Sequence, residues 1–155
     1  MTNESHLSFE DWLAKTPNRV SGKPFEQLTK RYFLAEPYVQ DAWVWEEYPD
    51  ATSIDRGIDV VVRTYDDQLW AVQCKDYSNT VHWGDISTFV GKSSQGFSRR
   101  ILITTQDAVS KNALEEMDEL GIEYYAPQVF DGFDCSEDAP ALPEPIELRP
   151  YQQAA

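Results

Sequence analysis

The chain has 155 residues, with 27 Asp and Glu against 13 Lys and Arg, for a net charge of −14. That length suits one domain with a core of its own, and 41% hydrophobic with 13% aromatic residues excludes a disordered chain. The charge argues against a free-standing nucleic-acid binder, which needs clustered Lys and Arg, but is compatible with a carboxylate-built metal site acting on nucleic acid.

In chain order, residues 1–22 are weakly patterned, with a short helix predicted around FEDWLAK and a loop at TPNRVSG. PFEQLTKRYFLA (24–35) reads as a helix: Pro24 suits a first helical position, and Phe25, Leu28, Tyr32 and Phe33 share a face. YVQDAWVWEEY (38–48) alternates and is aromatic, which predicts a strand; PDATSIDRG (49–57) predicts a loop. IDVVVRTY (58–65) and QLWAVQCK (68–75) read as two strands of a hairpin turning at Asp66 and Asp67. Residues 83–96 are moderately helical, with Ile86, Phe89 and Val90 inward. RRILITT (99–105) is a buried strand by its β-branched content. SKNALEEMDELG (110–121) is a helix capped by Ser110 and ended by Gly121, and IEYYAP (122–127) a last short strand. The sum is a mixed α/β domain with a central sheet flanked by helices.

Residues 131–147, DGFDCSEDAPALPEPIE, carry acid and proline and no base, and read as a linker. ELRPYQQAA (147–155) has little to bury in the preceding domain and reads as the start of something else. Two cysteines, Cys74 within a strand and Cys135 in the acidic stretch, give no disulfide framework and no thiolate metal site. With no apolar run of about 18 residues and no signal peptide at the N-terminus, the expectation is a reduced, cytoplasmic protein without a membrane span.

The hairpin carries the chemistry. Its pairing brings Asp59 and Lys75 to the end opposite the turn, and period-two alternation places Gln73 and Lys75 on one face, Val72 and Cys74 on the other. A carboxylate and an amide oxygen are hard ligands suited to Mg²⁺, which keeps several waters and accepts phosphate oxygens. A lysine beside such an ion can orient or deprotonate an attacking water and offset the charge of a pentavalent phosphorus. The plain alternative is a solvated Asp–Lys pair at a hairpin end, worth a few tenths of a kcal/mol. Gln73 weighs against it, since an amide inside an apolar strand needs a reason.

DRGIDVVV followed by WAVQCKDY resembles the PD-(D/E)xK nuclease superfamily, in its Mrr-like restriction endonuclease branch, where a D-x-G-I-D strand precedes a Q-x-K strand. The likeness spans roughly residues 22–127, including Phe25-Glu26 on the first long helix and ILITTQDAVSKNALEEMDELGIEYY downstream. It implies a restriction-endonuclease-like fold over 1–130. It also implies Asp59 as metal-binding aspartate, Gln73 at the second ligand position, Lys75 as catalytic lysine, and Glu26 as an accessory acid reaching the metal. Asp55 matches a less critical aspartate that shapes the loop. Glu46 and Glu47 read as a solvated pair, Cys74 as core, Trp70 and Trp45 as sheet packing, and His82, Lys92, Arg99 and Arg100 as surface groups able to approach phosphate.

LRPYQ (148–152) resembles the segment preceding the first RecA-like domain of superfamily-two helicases and translocases, its glutamine like an adenine-reading residue. The resemblances together imply a Mg²⁺-dependent DNA endonuclease (Mn²⁺ can substitute) tethered to a C-terminal ATP-driven motor, as in Type ISP restriction enzymes. ATP would be used only by the longer parent protein, and a second nuclease copy would be needed for double-strand cleavage. The rivals are a nuclease–helicase outside restriction, a catalytically silent docking module of nuclease fold, and a nuclease acting on RNA or junctions.

Overall fold

The computed structural model describes residues 6–51 and 57–137. Helix α1 (Phe9–Lys15) starts at Ser8, whose Oγ accepts from the Asp11 amide, and carries Glu10 and Asp11 in its first turn and Lys15 in its last, each complementing the helix dipole. Helix α2 (Lys23–Leu34) follows Gly22, which sits at φ 80°, and has Pro24 in its first turn. It buries Phe25, Leu28, Thr29 and Phe33. Strand β1 (Val39–Val44) ends earlier than its aromatic alternation predicts, and Trp45–Glu47 forms a 3-10 turn. The turn sends both of its glutamates to one helix. Glu46 pairs with Lys23 and Glu47 with Lys30, both on α2, whereas an extended strand would send successive side chains to opposite faces.

Strand β2 (Val60–Thr64) and β3 (Leu69–Lys75) form the expected hairpin, with Val60 opposite Val72 and Arg63 opposite Leu69. The turn is tight enough to hold Asp67 at φ 68°, a left-handed conformation that Asp tolerates better than most residues. Helix α3 (Trp83–Lys92) is shorter than predicted: Ser93 closes it by donating from Oγ to the Phe89 carbonyl at 2.6 Å. Strand β4 (Arg99–Thr104), helix α4 (Lys111–Leu120) and strand β5 (Ile122–Tyr125) complete the domain. The Ser110 hydroxyl caps α4 by accepting from the Ala113 amide, and Gly121 ends it at φ 75°.

The sheet order is β1-β2-β3-β4-β5, with β1, β2 and β3 antiparallel and β3, β4 and β5 parallel. The parallel steps need crossovers, and α3 and α4 supply them. Alternation along the central strands feeds two cores. Val60, Val62, Trp70, Val72, Ile101 and Ile103 pack against α1 and α2, while Val61, Ala71 and Leu102 pack against Ile86 and Phe89 of α3 and Met117 of α4. Among the described residues, no helix is long and apolar enough to cross a membrane.

Residues 131–137 depart from the linker that their composition predicts. The Cys135 amide donates to the Leu7 carbonyl, Asp134 accepts from the Leu7 amide, Arg31 donates to the Cys135 carbonyl, and Cys135 is fully buried. Phe130 and Phe133 pull this stretch onto Tyr32, at ring separations of 5.1 and 5.6 Å. Two aromatic contacts to Tyr32 outweigh the local acidic charge. The remainder of that linker, the LRPYQ segment and Asp55 lie outside the described residues. Phe25 joins the layers, fully buried, with its ring 6.5 Å from Phe9, 6.4 Å from Trp12 and 6.0 Å from Phe130. Phe25→Ala is therefore expected to cost about 3–5 kcal/mol in urea unfolding, and a loss under about 1 kcal/mol would show that α2 is held elsewhere.

Candidate active site

Asp59 stands one residue ahead of β2, where the ladder with β3 begins. Its amide donates to the Val72 carbonyl at 2.9 Å, and its carbonyl accepts from the Trp45 amide at 2.9 Å. Its carboxylate oxygen Oδ2 accepts from the Cys74 amide at 2.8 Å. The side chain thus supplies the partner of a β3 amide just ahead of β2, and its carboxylate is fixed at the strand end.

Glu26, in the first turn of α2, is brought to the same place. Its carboxyl lies within hydrogen-bonding range of Asp59 and is only 13% exposed. Burial first, and the adjacent Asp59 charge second, push Glu26 up to about 7. Lys23 opposes this from 3.6 Å, but it is shared with Glu46. Glu46 therefore borders the site through Lys23, whereas Glu47 is engaged with Lys30 at 2.8 Å.

Gln73 is buried, and its Nε2 donates to the Gly57 carbonyl at 2.9 Å. That carbonyl is presented by a turn at φ 73°, a conformation that favours glycine, and a Cβ on Gly57 would sit tightly against Thr88 Cγ2 at 3.3 Å. The other amide atom, Oε1, is buried with no hydrogen-bond partner among the described residues. An unpaired buried acceptor is costly unless something completes it. Lys75, two residues on, extends its ammonium beside Tyr77, 3.5 Å from the hydroxyl and 5.1 Å from the ring centre. The Gly57 anchor was not foreseen from sequence; its signal was a glycine just before the aspartate strand.

The groups on offer are the Asp59 and Glu26 carboxyls, set side by side, and, on β3, the unpaired Gln73 amide oxygen and the Lys75 ammonium. Two carboxyl groups in contact need a proton or a cation between them, and hard oxygen donors suit a divalent cation such as Mg²⁺. Among the described residues, no group of three or more His, Cys, Asp or Glu forms a metal cage; the third donor here is an amide.

Other residues singled out from sequence have structural work. Arg99 pairs with Glu123 (2.7 Å, Nε to Oε2), donates to the Tyr125 hydroxyl at 2.9 Å, and stacks over Trp70 at 4.1 Å. Arg100 donates to the Leu120 and Val90 carbonyls near the ends of α4 and α3, where a cation suits the helix dipole. Neither is a free phosphate contact. His82 precedes α3 and is exposed, and Lys92 ends that helix. Trp70 is core, Trp45 packs on the opposite face, and the Cys74 thiol is pushed well up by burial and by Asp59.

The Mrr_cat_2 restriction endonuclease family model matches residues 33–127. No curated protein matches the chain. Among solved structures, the ATP-dependent Type ISP restriction-modification enzyme LlaBIII bound to DNA is 30% identical over 80% of this chain, with a TM-score of 0.66. This chain spans only 8% of that enzyme's length. More distant are the DNA modification-dependent restriction endonuclease AspBHI, at 16% identity, 80% and 32% coverage of the two chains and a TM-score of 0.48, and protein VC1899 from Vibrio cholerae, at 15%, 68%, 29% and 0.45. The family match runs over more than half of the chain and takes in the whole hairpin with Asp59, Gln73 and Lys75, so the chain belongs to the Mrr_cat_2 family of restriction endonucleases.

Proposed function

We propose that this domain hydrolyses DNA phosphodiester bonds with Mg²⁺, and that it is the nuclease module of an ATP-driven restriction enzyme of Type ISP kind. The observation that carries the reading is the Glu26 carboxyl set beside that of Asp59 at the start of the hairpin, together with the unpaired buried oxygen of Gln73 on β3, two residues before Lys75. Asp59, Gln73 through Oε1, and Glu26 would hold the ion. Its chemistry there is to draw charge from the phosphate and acidify water. The Lys75 ammonium orients the attacking water and offsets the negative charge that builds on phosphorus. A new P–O bond forms to that water, the bond to the leaving sugar oxygen breaks, and the leaving oxygen takes up a proton. One such site cuts one strand, so a double-strand break requires two copies.

The net charge of −14 fits a tethered role. A domain this acidic gains little from phosphate contacts, whereas attachment to a DNA-gripping motor raises its local concentration without new contacts. The 30% identity to a Type ISP enzyme supports that architecture. Residues 148–155 would be the first of that motor.

Asp59→Asn keeps an acceptor for the Cys74 amide and so is expected to fold, with a melting temperature within a few degrees of wild type, while losing at least about 100-fold in plasmid cleavage; Lys75→Ala is expected to do the same. Thermal shift with added Mg²⁺ or Mn²⁺ should raise the melting temperature of wild type and not of Asp59→Asn. Equal cleavage and equal metal shifts in wild type and Asp59→Asn would leave a silent docking module.

Glu26 gives a separate test in the metal-free protein. Its folded value of about 7 lies above the ordinary carboxyl value of 4.5, so its contribution to stability is complete below about pH 4.5 and is lost as pH rises through about 7. Glu26→Gln mimics the neutral form. Relative to wild type it should be more stable at pH 8, by on the order of 2 kcal/mol after allowance for solvent screening, and near equal at pH 4.5. Denaturant titrations at both pH values check this; parallel curves would mean that neither burial nor Asp59 raises Glu26.

A further inference from the structure

Asp76 directly follows Lys75, and its side chain is 11% exposed with both carboxylate oxygens bonded. Oδ2 accepts from Arg19 Nε at 2.7 Å, and Oδ1 accepts from Thr105 Oγ1 at 3.1 Å. Arg19 lies in the loop between α1 and α2. Its Nη1 donates to the Leu13 carbonyl at 3.0 Å and the Thr16 carbonyl at 2.6 Å, where α1 ends, and its guanidinium lies 5.8 Å from the Trp12 ring. Thr105 follows β4, and its amide donates to the Lys75 carbonyl at 3.2 Å. One carboxylate therefore ties the end of α1, the end of β3 and the end of β4 into a single joint at the peptide that carries Lys75.

Such a joint is more than surface stability requires. An exposed ion pair contributes little and pays side-chain entropy. This one is largely covered and shares its carboxylate between two donors from different elements, the arrangement that fixes geometry. A lysine on a four-carbon stem also has many rotamers, and its catalytic value depends on where its base is held. Asp76 and Thr105 hold the base, and Tyr77 confines the tip. Arg19 and α1 lie outside the residues matched by the family model, so the joint brings an additional segment into the site.

We propose that Asp76 is a positioning residue for Lys75, and that Arg19, through its ion pair with Asp76, makes the α1 segment part of the cleavage machinery. The role in cleavage rests on the nuclease reading above; the positioning of Lys75 does not. The first readout needs no cleavage. Lysines are reductively methylated with ¹³C-formaldehyde, and the Lys75 signal is assigned by its absence in Lys75→Ala. In Asp76→Asn and in Arg19→Ala that signal is expected to narrow and move toward the free-lysine position, while the Lys30 signal stays fixed. An unchanged Lys75 signal in both variants overturns the proposal.

The second readout is plasmid cleavage by the full parent chain with Mg²⁺ and ATP. Asp76→Asn and Arg19→Ala are each expected to lower the maximal rate about tenfold with the KM for DNA within twofold, the double variant to be no worse than either single, and Arg19→Lys to recover part of the rate. Additive losses, or a raised KM with an unchanged maximal rate, overturn a positioning role. If the Lys75 signal moves but Lys75→Ala cuts as well as wild type, the nuclease assignment of Lys75 fails while the joint stands.

Discussion

The Cys74 amide donates to the Asp59 carboxylate at the point where β2 and β3 begin to pair, and the site depends on that bond. Ladder bonds beyond it are ordinary main-chain pairs. At Asp59, just ahead of β2, a side chain satisfies an amide that would otherwise lack its partner. The carboxylate is thereby held against the sheet, where the first turn of α2 presents Glu26 to it. Hairpin register, helix placement and the charge of the corner are one constraint.

That corner is expensive for the metal-free protein. Two carboxyls meet where burial already disfavours charge, and a glutamine oxygen is left without a partner. Folding covers such costs elsewhere, in the aromatic layer of Phe9, Trp12, Phe25 and Phe130 and in the valine-rich faces of β2 and β3. Local sacrifice supported by a rigid surround is the usual state of a catalytic site, whose polar groups are set for a ligand. Lys23 moderates the repulsion from the rim, where it is shared between Glu26 and Glu46.

The two sides of the sheet divide the labour. The α3 and α4 side makes the parallel crossovers, and Arg100 spans the ends of both helices. The α1 and α2 side delivers Glu26 and, through Arg19, reaches the strand end after Lys75. The segment through Cys135 closes over α1 and α2, so the part of the chain that leads toward any following domain is anchored on the side that builds the site.

Much was legible in the residues themselves. The hairpin, α2, α4 with its Ser110 cap and Gly121 stop, and the placing of Asp59 at the start of the hairpin and of Gln73 and Lys75 at the end of its second strand follow from period, turn chemistry and strand alternation, which act between near neighbours in the chain. Glu46 and Glu47 misled that reading because their partners are lysines on α2, and the stretch through Cys135 did so because its aromatic partners lie about a hundred residues earlier. Arg99 and Arg100 read as surface cations, yet Glu123, Trp70 and two helix ends claim them. The Asp76–Arg19 joint and the unpaired Gln73 oxygen have no local signature at all. Sequence by itself determined which groups are available and on which face of a strand they fall. Only the tertiary structure decided which charges meet and which polar atom stays unpaired, because those outcomes depend on how far apart the packed elements place side chains distant in the chain.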